Sequence, residues 1–367
     1  MKRKILIIVN TCFQLMTAVQ LIQKKFTEDE TDLMLTDHLP DCEHMAERIT
    51  ESGVAGHVYT ARCRDISIPR TGAGRRRAVF YTAFAGAYLR KNTDFKGDKY
   101  DVLMFHNLDS FLYILCAEMY RKNRDILLRR YEEGFSIYLT FNDRPKTEKI
   151  CERIFRMLGR RSIIKNIDRV YLYHPEYLTY EMEQPIERIP LLSKKDRKYR
   201  EAVNHIFHYQ EKHTAATGII LFEECFFADG TPVEDQELFE QIIEYAGKGN
   251  VTVKLHPRNR VNRFARSGAS VFEASGLPWE AAQMNHDYRD SLFMTVSSGS
   301  VLASLLYFDE CIPTVFLYKV IGGGFRLKEN YEAYLQKIFE KHPDARIFIP
   351  DTREELKQII KEYADGR

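Results

Sequence analysis

The stretch KILIIVN, Lys4–Asn10, decides the fold of this chain, because Ile5–Val9 are apolar without alternation. An unbroken apolar run of this length is typical of a parallel strand that is covered on both faces. A helical pattern follows from Phe13 to Lys24, and the first half of the chain repeats this alternation. Further strands are predicted at Thr31–Asp37, His57–Ala61, Tyr100–Asn107, Ile126–Gly134 and Arg169–Pro175.

The second half of the chain alternates in the same way. Its predicted strands are Gly218–Glu224, Val251–Leu255, Ser270–Ser275, Ser291–Ser298, Ile312–Tyr318 and Arg346–Pro350. Both halves together predict an α/β fold with two doubly wound, Rossmann-like domains that face a cleft. We place the domains at residues 1–176 and 216–350, a linker with a bridging helix at 177–215, and a C-terminal helix at 351–367.

The composition restricts the class of protein. With 367 residues and a net charge of +2, the chain is long enough for two domains and too nearly neutral to bind nucleic acid through bulk charge. Its seven cysteines include no C-x-x-C pair, which predicts reduced thiols in the cytoplasm. The N-terminal apolar run is too short for a signal peptide, and no apolar stretch approaches the roughly 20 residues of a membrane helix.

Two polar groups follow predicted strands in the first half. Asn10, Thr11 and Gln14 stand where the first strand meets a helix, and they can either cap that helix or bind an anion or hydroxyl at its N-terminus. Glu133 and Gly134 end the strand that contains RRYEEG. A carboxylate beside a glycine suits a general base that a substrate approaches closely, although an acidic turn has the same sequence.

Two further groups follow strands in the second half. VTVKLHPRNR, Val251–Arg260, places Lys254, His256 and Pro257 at a strand end among arginines, which suits an anionic ligand, although a turn histidine with solvated arginines has the same sequence. Ser297–Ser300, sequence SSGS, joins a strand to a helix, so its hydroxyls and the helix N–H groups can hold a phosphate. The alternative for these serines is helix capping. No Asp-x-Asp pair is present to hold a metal on a nucleotide diphosphate.

The motifs E-E-G, K-L-H-P and S-S, in this order, resemble those of the bacterial sialyltransferases. The N-terminal VNTCFQLMTAVQL is most similar to glycosyltransferase family 52, the lipooligosaccharide and capsule sialyltransferases. The resemblance follows the motif order over most of the chain. It implies a GT-B fold with an acceptor-side N-terminal domain and a CMP-donor-binding C-terminal domain. The implied reaction is inverting transfer of sialic acid from CMP-sialic acid to a galactose-terminated glycan, without a metal or other cofactor.

The resemblance also implies roles for individual residues. Glu133 matches the base that activates the acceptor, His256 the acid that assists the departing phosphate, and Ser297–Ser298 the phosphate binders. Glu280, in GLPWEAA, matches a carboxylate that contacts the nucleotide ribose. Family 52 places a carboxylate shortly upstream of its HP motif, where this chain has Asp229 in CFFADGTP. The identity of the base therefore stays open between Glu133 and Asp229.

Two other functions stay open at this point. CDP-alcohol phosphotransferases of the teichoic-acid type also pair such a histidine with two serines, but they usually carry an acidic residue where this chain has Thr295 and Val296. A non-catalytic nucleotide-binding protein can have the same fold. The expected partners are the donor and a glycan acceptor, and not nucleic acid. Peripheral contact with the inner face of the membrane, for example through Arg75–Arg77, and a homodimer are further hypotheses.

Overall fold

A computed structural model describes residues 2–142, 145–210, 218–231, 233–256, 258–259, 261–272 and 277–365. The chain divides into two units. The N-terminal unit comprises Met1–Pro190 with Asp196–His208, and the C-terminal unit comprises Leu191–Lys195 with Tyr209–Arg367.

The N-terminal unit is built on a parallel sheet with the order β3-β2-β1-β4-β5-β6-β7 among the described residues. Its strands are β1 Lys4–Val9, β2 Glu30–Thr36, β3 Val58–Ala61, β4 Val102–Phe105, β5 Leu127–Tyr131, β6 Ile167–Leu172 and β7 Ile186–Arg188. Ile5–Val9 are buried, as expected for a strand with helices on both faces. The chain order reverses between β1 and β4, which makes that gap the topological switch point of this sheet.

The helices of this unit connect successive strands. They are α1 Cys12–Lys24, α2 Cys42–Ser52, α3 Arg64–Ser67, α4 Gly72–Ala83, α5 Ala85–Asn92, α6 Ser110–Lys122, α7 Ser136–Leu139, α8 Lys146–Met157 and α9 Arg197–Ile206. Side-chain caps begin several of them. For example, Asp109 accepts a hydrogen bond from the amide of Leu112 at the start of α6.

The C-terminal unit repeats this plan with the parallel order β10-β9-β8-β11-β12-β13 among the described residues. Its strands are β8 Ile219–Phe222, β9 Val251–Lys254, β10 Ser270–Val271, β11 Leu292–Thr295, β12 Thr314–Phe316 and β13 Ile347–Phe348. Its helices are α10 Phe226–Asp229, α11 Asp235–Ala246, α12 Trp279–Asn285, α13 Ala303–Phe308, α14 Glu329–Lys341 and α15 Arg353–Asp365. The switch point of this sheet lies between β8 and β11.

The segment 177–215, predicted as a linker with a bridging helix, contains two elements of the N-terminal unit. Strand β7 pairs with β6 at the edge of the first sheet. Helix α9 packs against α1 and α2 and buries Tyr199, Val203 and Ile206. The sequence hides β7 because its three residues are too few to show a period. Helix α15, predicted as a separate C-terminal element, packs on α11 and buries Leu356 and Ile360 in the core of the C-terminal unit.

The buried polar groups of the C-terminal unit include an ion-pair network. The Arg263 guanidinium bonds to Glu223 Oε1 at 2.7 Å and to Asp235 Oδ2 at 2.6 Å, and all three side chains are buried. This network joins the end of β8 to the start of α11. Separately, none of the helices that the structure describes has the length and hydrophobicity required to cross a lipid bilayer.

Replacing Arg263 by methionine is expected to destabilise the C-terminal unit by about 3–5 kcal/mol, because two buried carboxylates lose their partner. Urea unfolding followed by the fluorescence of Trp279, the single tryptophan, measures this loss. Arg289→Met, which removes an exposed pair with Asp287, is the matched control and should cost about 0–1 kcal/mol. Equal shifts in the two variants would contradict a buried network.

Candidate functional site

Polar side chains of the N-terminal unit meet at the switch point between β1 and β4. Asn10 follows β1, His106 and Asn107 follow β4, and Glu133 follows the neighbouring β5. In open α/β sheets, ligands bind outside the carboxyl ends of the strands at this point. The predicted residues of the first half therefore lie where the fold places a ligand site.

Gln14 connects these strand ends. Its side chain is fully buried, and Nε2 donates to Glu133 Oε2 at 2.7 Å and to Asn107 Oδ1 at 2.9 Å. Its Oε1 accepts from the amide of Asn10 at 2.7 Å. Both amide hydrogens are thus used within the protein. Gln14, a predicted substrate-binding residue, positions Glu133 in this structure.

The two residues before Gln14 also bond to the protein. Thr11 caps α1, since its Oγ1 accepts from the amide of Gln14 at 3.2 Å. Asn10 is buried, and its Oδ1 accepts from Thr36 Oγ1 at 2.8 Å. Of the two interpretations of this motif, helix capping describes Thr11, while Asn10 links β1 to β2.

The two adjacent carboxylates at the end of β5 have different environments. Glu132 is fully buried, and its Oε2 accepts from the hydroxyl of Tyr138 and from the amide of Tyr173. Glu133 retains a side-chain exposure of 25%. Gly134 follows with φ +53°, a left-handed conformation in which a side chain would be strained, so it turns the chain after the two carboxylates.

His106 stands beside Glu133 with a defined tautomer. Its Nδ1 lies 2.9 Å from the carbonyl oxygen of Tyr131, and a carbonyl can only accept, so Nδ1 carries the hydrogen. Burial holds the pKa of His106 below its ordinary value, which favours the neutral ring. Neutral His106 therefore directs the lone pair of Nε2 toward Glu133 Oε2, 3.5 Å away.

Glu133 and His106 line a cavity of about 440 Å³ within the N-terminal unit. Arg130 also lines it and donates to the carbonyls of His106 at 3.0 Å and Phe141 at 2.6 Å. Burial lowers the pKa of Arg130 to about 10, so it stays cationic at neutral pH. Burial raises the pKa of Asp109, another lining residue, to about 6. The remaining walls are mostly polar: Ser67, Asn107, Leu108, Ser136, Thr140, Pro145 and Glu148.

In the C-terminal unit, His256 follows β9 and is held by two backbone hydrogen bonds. Its amide donates to Glu223 Oε2 at 3.0 Å, and its Nδ1 accepts from the amide of Arg258 at 3.2 Å. The hydrogen of the neutral ring is therefore on Nε2. Burial, followed by the charges of Arg258 and Lys254, lowers the pKa of His256 to about 4. The predicted acid is thus a neutral N–H donor at pH 7.

The paired serines are engaged within the protein. Ser297 donates its hydroxyl to Glu224 Oε2 at 2.8 Å and its amide to the same carboxylate. Ser298 Oγ accepts from the amide of Ser300 at 3.3 Å and so caps the 3₁₀ turn Gly299–Leu302. The capping interpretation therefore describes Ser298, and Glu224 occupies the hydrogens that Ser297 was predicted to offer to a phosphate.

Lys254 and Glu280 form a partly compensated pair of opposite charges. Burial lowers the pKa of Lys254 and raises that of Glu280, while each opposes the shift of the other. The ammonium of Lys254 lies 5.9 Å from the ring centre of Phe222. Asp229, the alternative base, forms an ion pair of 2.8 Å with Arg258 at the surface. Pro257 lies outside the described residues.

One further group has the residue types of a metal site. Asp37, His38 and Cys63, in the N-terminal unit, have candidate ligand atoms within 4.8 Å of one another. Asp37 Oδ1 already accepts from the amides of Cys63 and Arg64, each at 2.9 Å. Burial raises the pKa of the Cys63 thiol, which disfavours the thiolate that metals bind. The closeness of these three residues is therefore explained by the hydrogen bonds with which Asp37 holds the turn after β3.

Sequence reasoning missed His106, Asn107, Arg130 and Glu224. His106 and Asn107 end a strongly apolar strand, as Asn10 does, and that shared position was the available signal. Glu224 closes FEE, a second Glu-Glu pair after a strand. Nothing in the sequence indicated that the side chain of Arg130 is buried, since basic residues usually stay exposed.

Comparisons with known proteins bear on the fold. No protein-family model matches the sequence, and no similar curated protein was found. Among solved structures, the chain is similar to the spinosyn forosaminyltransferase SpnP, with 10% identity, a TM-score of 0.53, and coverage of 100% of this chain and 92% of that one. The structure of UGT89C1 from Arabidopsis thaliana complexed with UDP gives 9% identity, a TM-score of 0.54, and coverage of 99% and 91%.

A third similar structure is TcCGT1 in complex with UDP, with 10% identity, a TM-score of 0.52, and coverage of 99% of this chain and 90% of that one. These likenesses extend over both units. They confirm the predicted fold class of two doubly wound, Rossmann-like domains of GT-B type.

His256 is expected to keep its neutral, Nε2-protonated ring from pH 7.5 to 5.5, because its pKa of about 4 lies below that range. Nitrogen-15 NMR of the imidazoles measures both the tautomer and the titration. The His256→Gln variant assigns the signal by its disappearance. A midpoint near 6.5, the value of an unperturbed histidine, would contradict the environment described for this ring.

Proposed function

We propose that this protein is an inverting glycosyltransferase that moves sialic acid from CMP-sialic acid to a hydroxyl of a surface glycan, most simply a terminal galactose. The observation that carries the proposal is the setting of Glu133. Its Oε2 is fixed by Gln14, and Oε1 has no hydrogen-bond partner among the residues that the structure describes. A positioned carboxylate with one unengaged oxygen beside a polar cavity suits a general base.

His106 supports Glu133 in this role. When Oε1 of Glu133 removes the proton of the acceptor hydroxyl, the carboxyl group becomes neutral. The lone pair of His106 Nε2, 3.5 Å from Oε2, repels the charged carboxylate more than the neutral acid and so favours uptake of the proton. Neutral His106 therefore stabilises the protonated base, whereas a protonated ring would oppose it.

His256 assists the departing CMP in the proposed reaction. Its neutral ring can donate the Nε2 hydrogen in a hydrogen bond to an oxygen of the leaving phosphate, which stabilises the charge that develops on CMP. Lys254 and Arg258 add positive charge around His256. Sialyl transfer passes through an oxocarbenium-like state, so loss of the phosphate is advanced at the transition state and this stabilisation matters.

The choice of donor rests on the order of the motifs in the sequence. UGT89C1 and TcCGT1 were solved with UDP, and at this identity their likeness supports the fold alone. CMP-sialic acid has one phosphate, so histidine, cations and amides are enough to neutralise it without an Asp-x-Asp metal site. Engagement of Ser297 by Glu224 means that this serine can give its hydrogen to phosphate only after leaving that carboxylate.

The decisive assay offers the protein CMP-sialic acid, CDP-glycerol and UDP-glucose separately, with lactose as acceptor, and follows release of the nucleotide. CMP release and sialyllactose formation are expected with the first donor, and EDTA should leave the rate unchanged within about tenfold because no metal is required. CMP release from CDP-glycerol instead would favour the phosphotransferase. Turnover of UDP-glucose, or a rate restored by one metal after EDTA, would overturn the proposal.

Glu133→Gln is expected to lower kcat by about 10²–10⁴-fold while leaving CMP-sialic acid binding nearly intact, because it removes the base and keeps the shape of the side chain. Initial rates and calorimetric titration of the donor separate the two effects. Glu132→Gln is the matched control, because its carboxylate bonds to Tyr138 and Tyr173. If Asp229→Asn is inactive and Glu133→Gln active, the base belongs to the C-terminal unit.

A further inference from the structure

The N-terminal unit exposes a concentration of large apolar side chains. Of thirteen such exposed side chains among the described residues, six lie in two short stretches, 68–84 and 150–158. The most exposed of these six are Met157 at 85%, Ile68 at 60%, Phe84 at 56% and Phe80 at 55%. Scattered apolar residues on a surface are ordinary, but a contiguous group marks an interaction site.

These side chains lie on neighbouring elements. Phe80 and Phe84, one helical turn apart on α4 and its C-cap, stack with ring centres 4.6 Å apart. Helix α8 packs against α4, and Arg160 Nη1, just beyond α8, donates to the carbonyl of Thr82 at 3.0 Å. Helix α3 also packs against α4. We call the exposed apolar side chains of α4, α8 and the C-terminal ends of α3, α4 and α8 the α4–α8 patch: Ile68, Phe80, Phe84, Ile150, Met157 and Leu158.

The α4–α8 patch is strongly basic. Residues 72–92 and 146–161 contain eleven Lys and Arg and two Glu, a net charge of +9, although the whole chain carries only +2. Of the two acids, Glu148 is buried. Arg75, Arg76 and Arg156 are exposed and form no ion pair among the described residues. The rest of the chain is net acidic, so the positive charge is concentrated beside the exposed apolar groups.

A cavity of about 550 Å³ adjoins Phe84 on the same patch. Arg90, Arg121 and Arg160 line it together with one carboxylate, Glu118, which pairs with Arg121. The three guanidinium groups and the single carboxylate give its walls a net charge of +2. A cavity of this charge beside exposed aromatic rings suits a phosphate group whose attached chains are apolar.

We propose that the α4–α8 patch docks this protein on a lipid bilayer that contains anionic phospholipids, with Phe80, Phe84 and Met157 inserted at the acyl boundary and the arginines bound to lipid phosphates. Exposed aromatic and aliphatic groups flanked by cations are the pattern of interfacial membrane binding. Nucleic acid would use the arginines and the rings, but it offers nothing to Ile150, Met157 and Leu158. The inference is independent of the proposed transfer reaction.

The test uses the full-length protein and vesicles of phosphatidylcholine, with or without 30% phosphatidylglycerol. Flotation should recover the protein with the anionic vesicles, and recovery should fall as NaCl rises. The variant Arg75→Gln, Arg76→Gln, Arg156→Gln should lower the partition coefficient roughly 100-fold, at about one decade or less per charge. The variant Phe80→Ser, Phe84→Ser, Met157→Ser should lower it at least about tenfold.

The matched control is Phe227→Ser with Phe348→Ser, which removes exposed rings from the C-terminal unit and should bind like the wild type. Equal binding to neutral vesicles, no binding at all, an equal loss in the control, or full binding by the apolar variant would each overturn the proposal. So would binding of duplex DNA or RNA in preference to vesicles at the same salt concentration. Circular dichroism of each variant verifies folding, and an inactive enzyme would leave the flotation result unaffected.

Discussion

The carboxamide of Gln14 is the interaction on which the N-terminal site depends. It joins the ends of β1, β4 and β5 by bonding to Asn10, Asn107 and Glu133 in a fully buried position. A buried amide whose donors and acceptor are all satisfied holds one orientation, because any rotation would leave polar groups unpaired. The direction of Glu133 is therefore determined by hydrogen bonds that connect three strand ends, and not by the flexibility of its own side chain.

The two units treat their strand-end Glu-Glu pairs in a similar way. The first carboxylate of each pair, Glu132 or Glu223, is buried and accepts the amide of a residue after the next strand in space. The second carboxylate reaches across the switch point. Glu133 meets Gln14, and Glu224 meets Ser297.

The second carboxylates differ in one respect that affects their chemistry. Both oxygens of Glu224 accept hydrogen bonds, from Thr295 and Ser297. Glu133 has one oxygen engaged with the protein. Glu224 is therefore a carboxylate that fixes a turn, whereas Glu133 is one that can take part in proton transfer.

The architecture could be predicted from the sequence because it depends on apolar runs. Every predicted strand has a counterpart in the structure, usually shorter because its polar ends, such as Asn10 and Glu223, leave the ladder. Strand β7 could not be predicted, since its three residues form an edge without a periodic pattern. The locations of Glu133 and His256 at strand ends also followed from local sequence.

Hydrogen bonds between side chains at the ends of different strands could not be predicted from the sequence. Gln14 bonds to Glu133, which is 119 residues away. This contact depends on the order of the strands in the sheet, which cannot be read from the sequence. The same holds for Glu224 and Ser297, which are 73 residues apart. Thr11, a candidate for helix capping or for binding an anion or hydroxyl, and Ser298, a predicted phosphate binder, are both caps, because a hydroxyl at a helix start satisfies the nearest amide first.

Each group of site residues lies within one unit of the chain, which affects how the chain can evolve by recombination. Gln14, Asn107, His106 and Tyr131, which fix the carboxylate and its neighbour, all belong to the N-terminal unit. The His256 and Glu224 environments are likewise complete within the C-terminal unit. Recombination between residues 208 and 218 would therefore keep the Glu133 and His256 environments whole. Leu191–Lys195 would remain with the N-terminal half, so the incoming C-terminal half would still have to match the ion pair of Lys194 with Glu310.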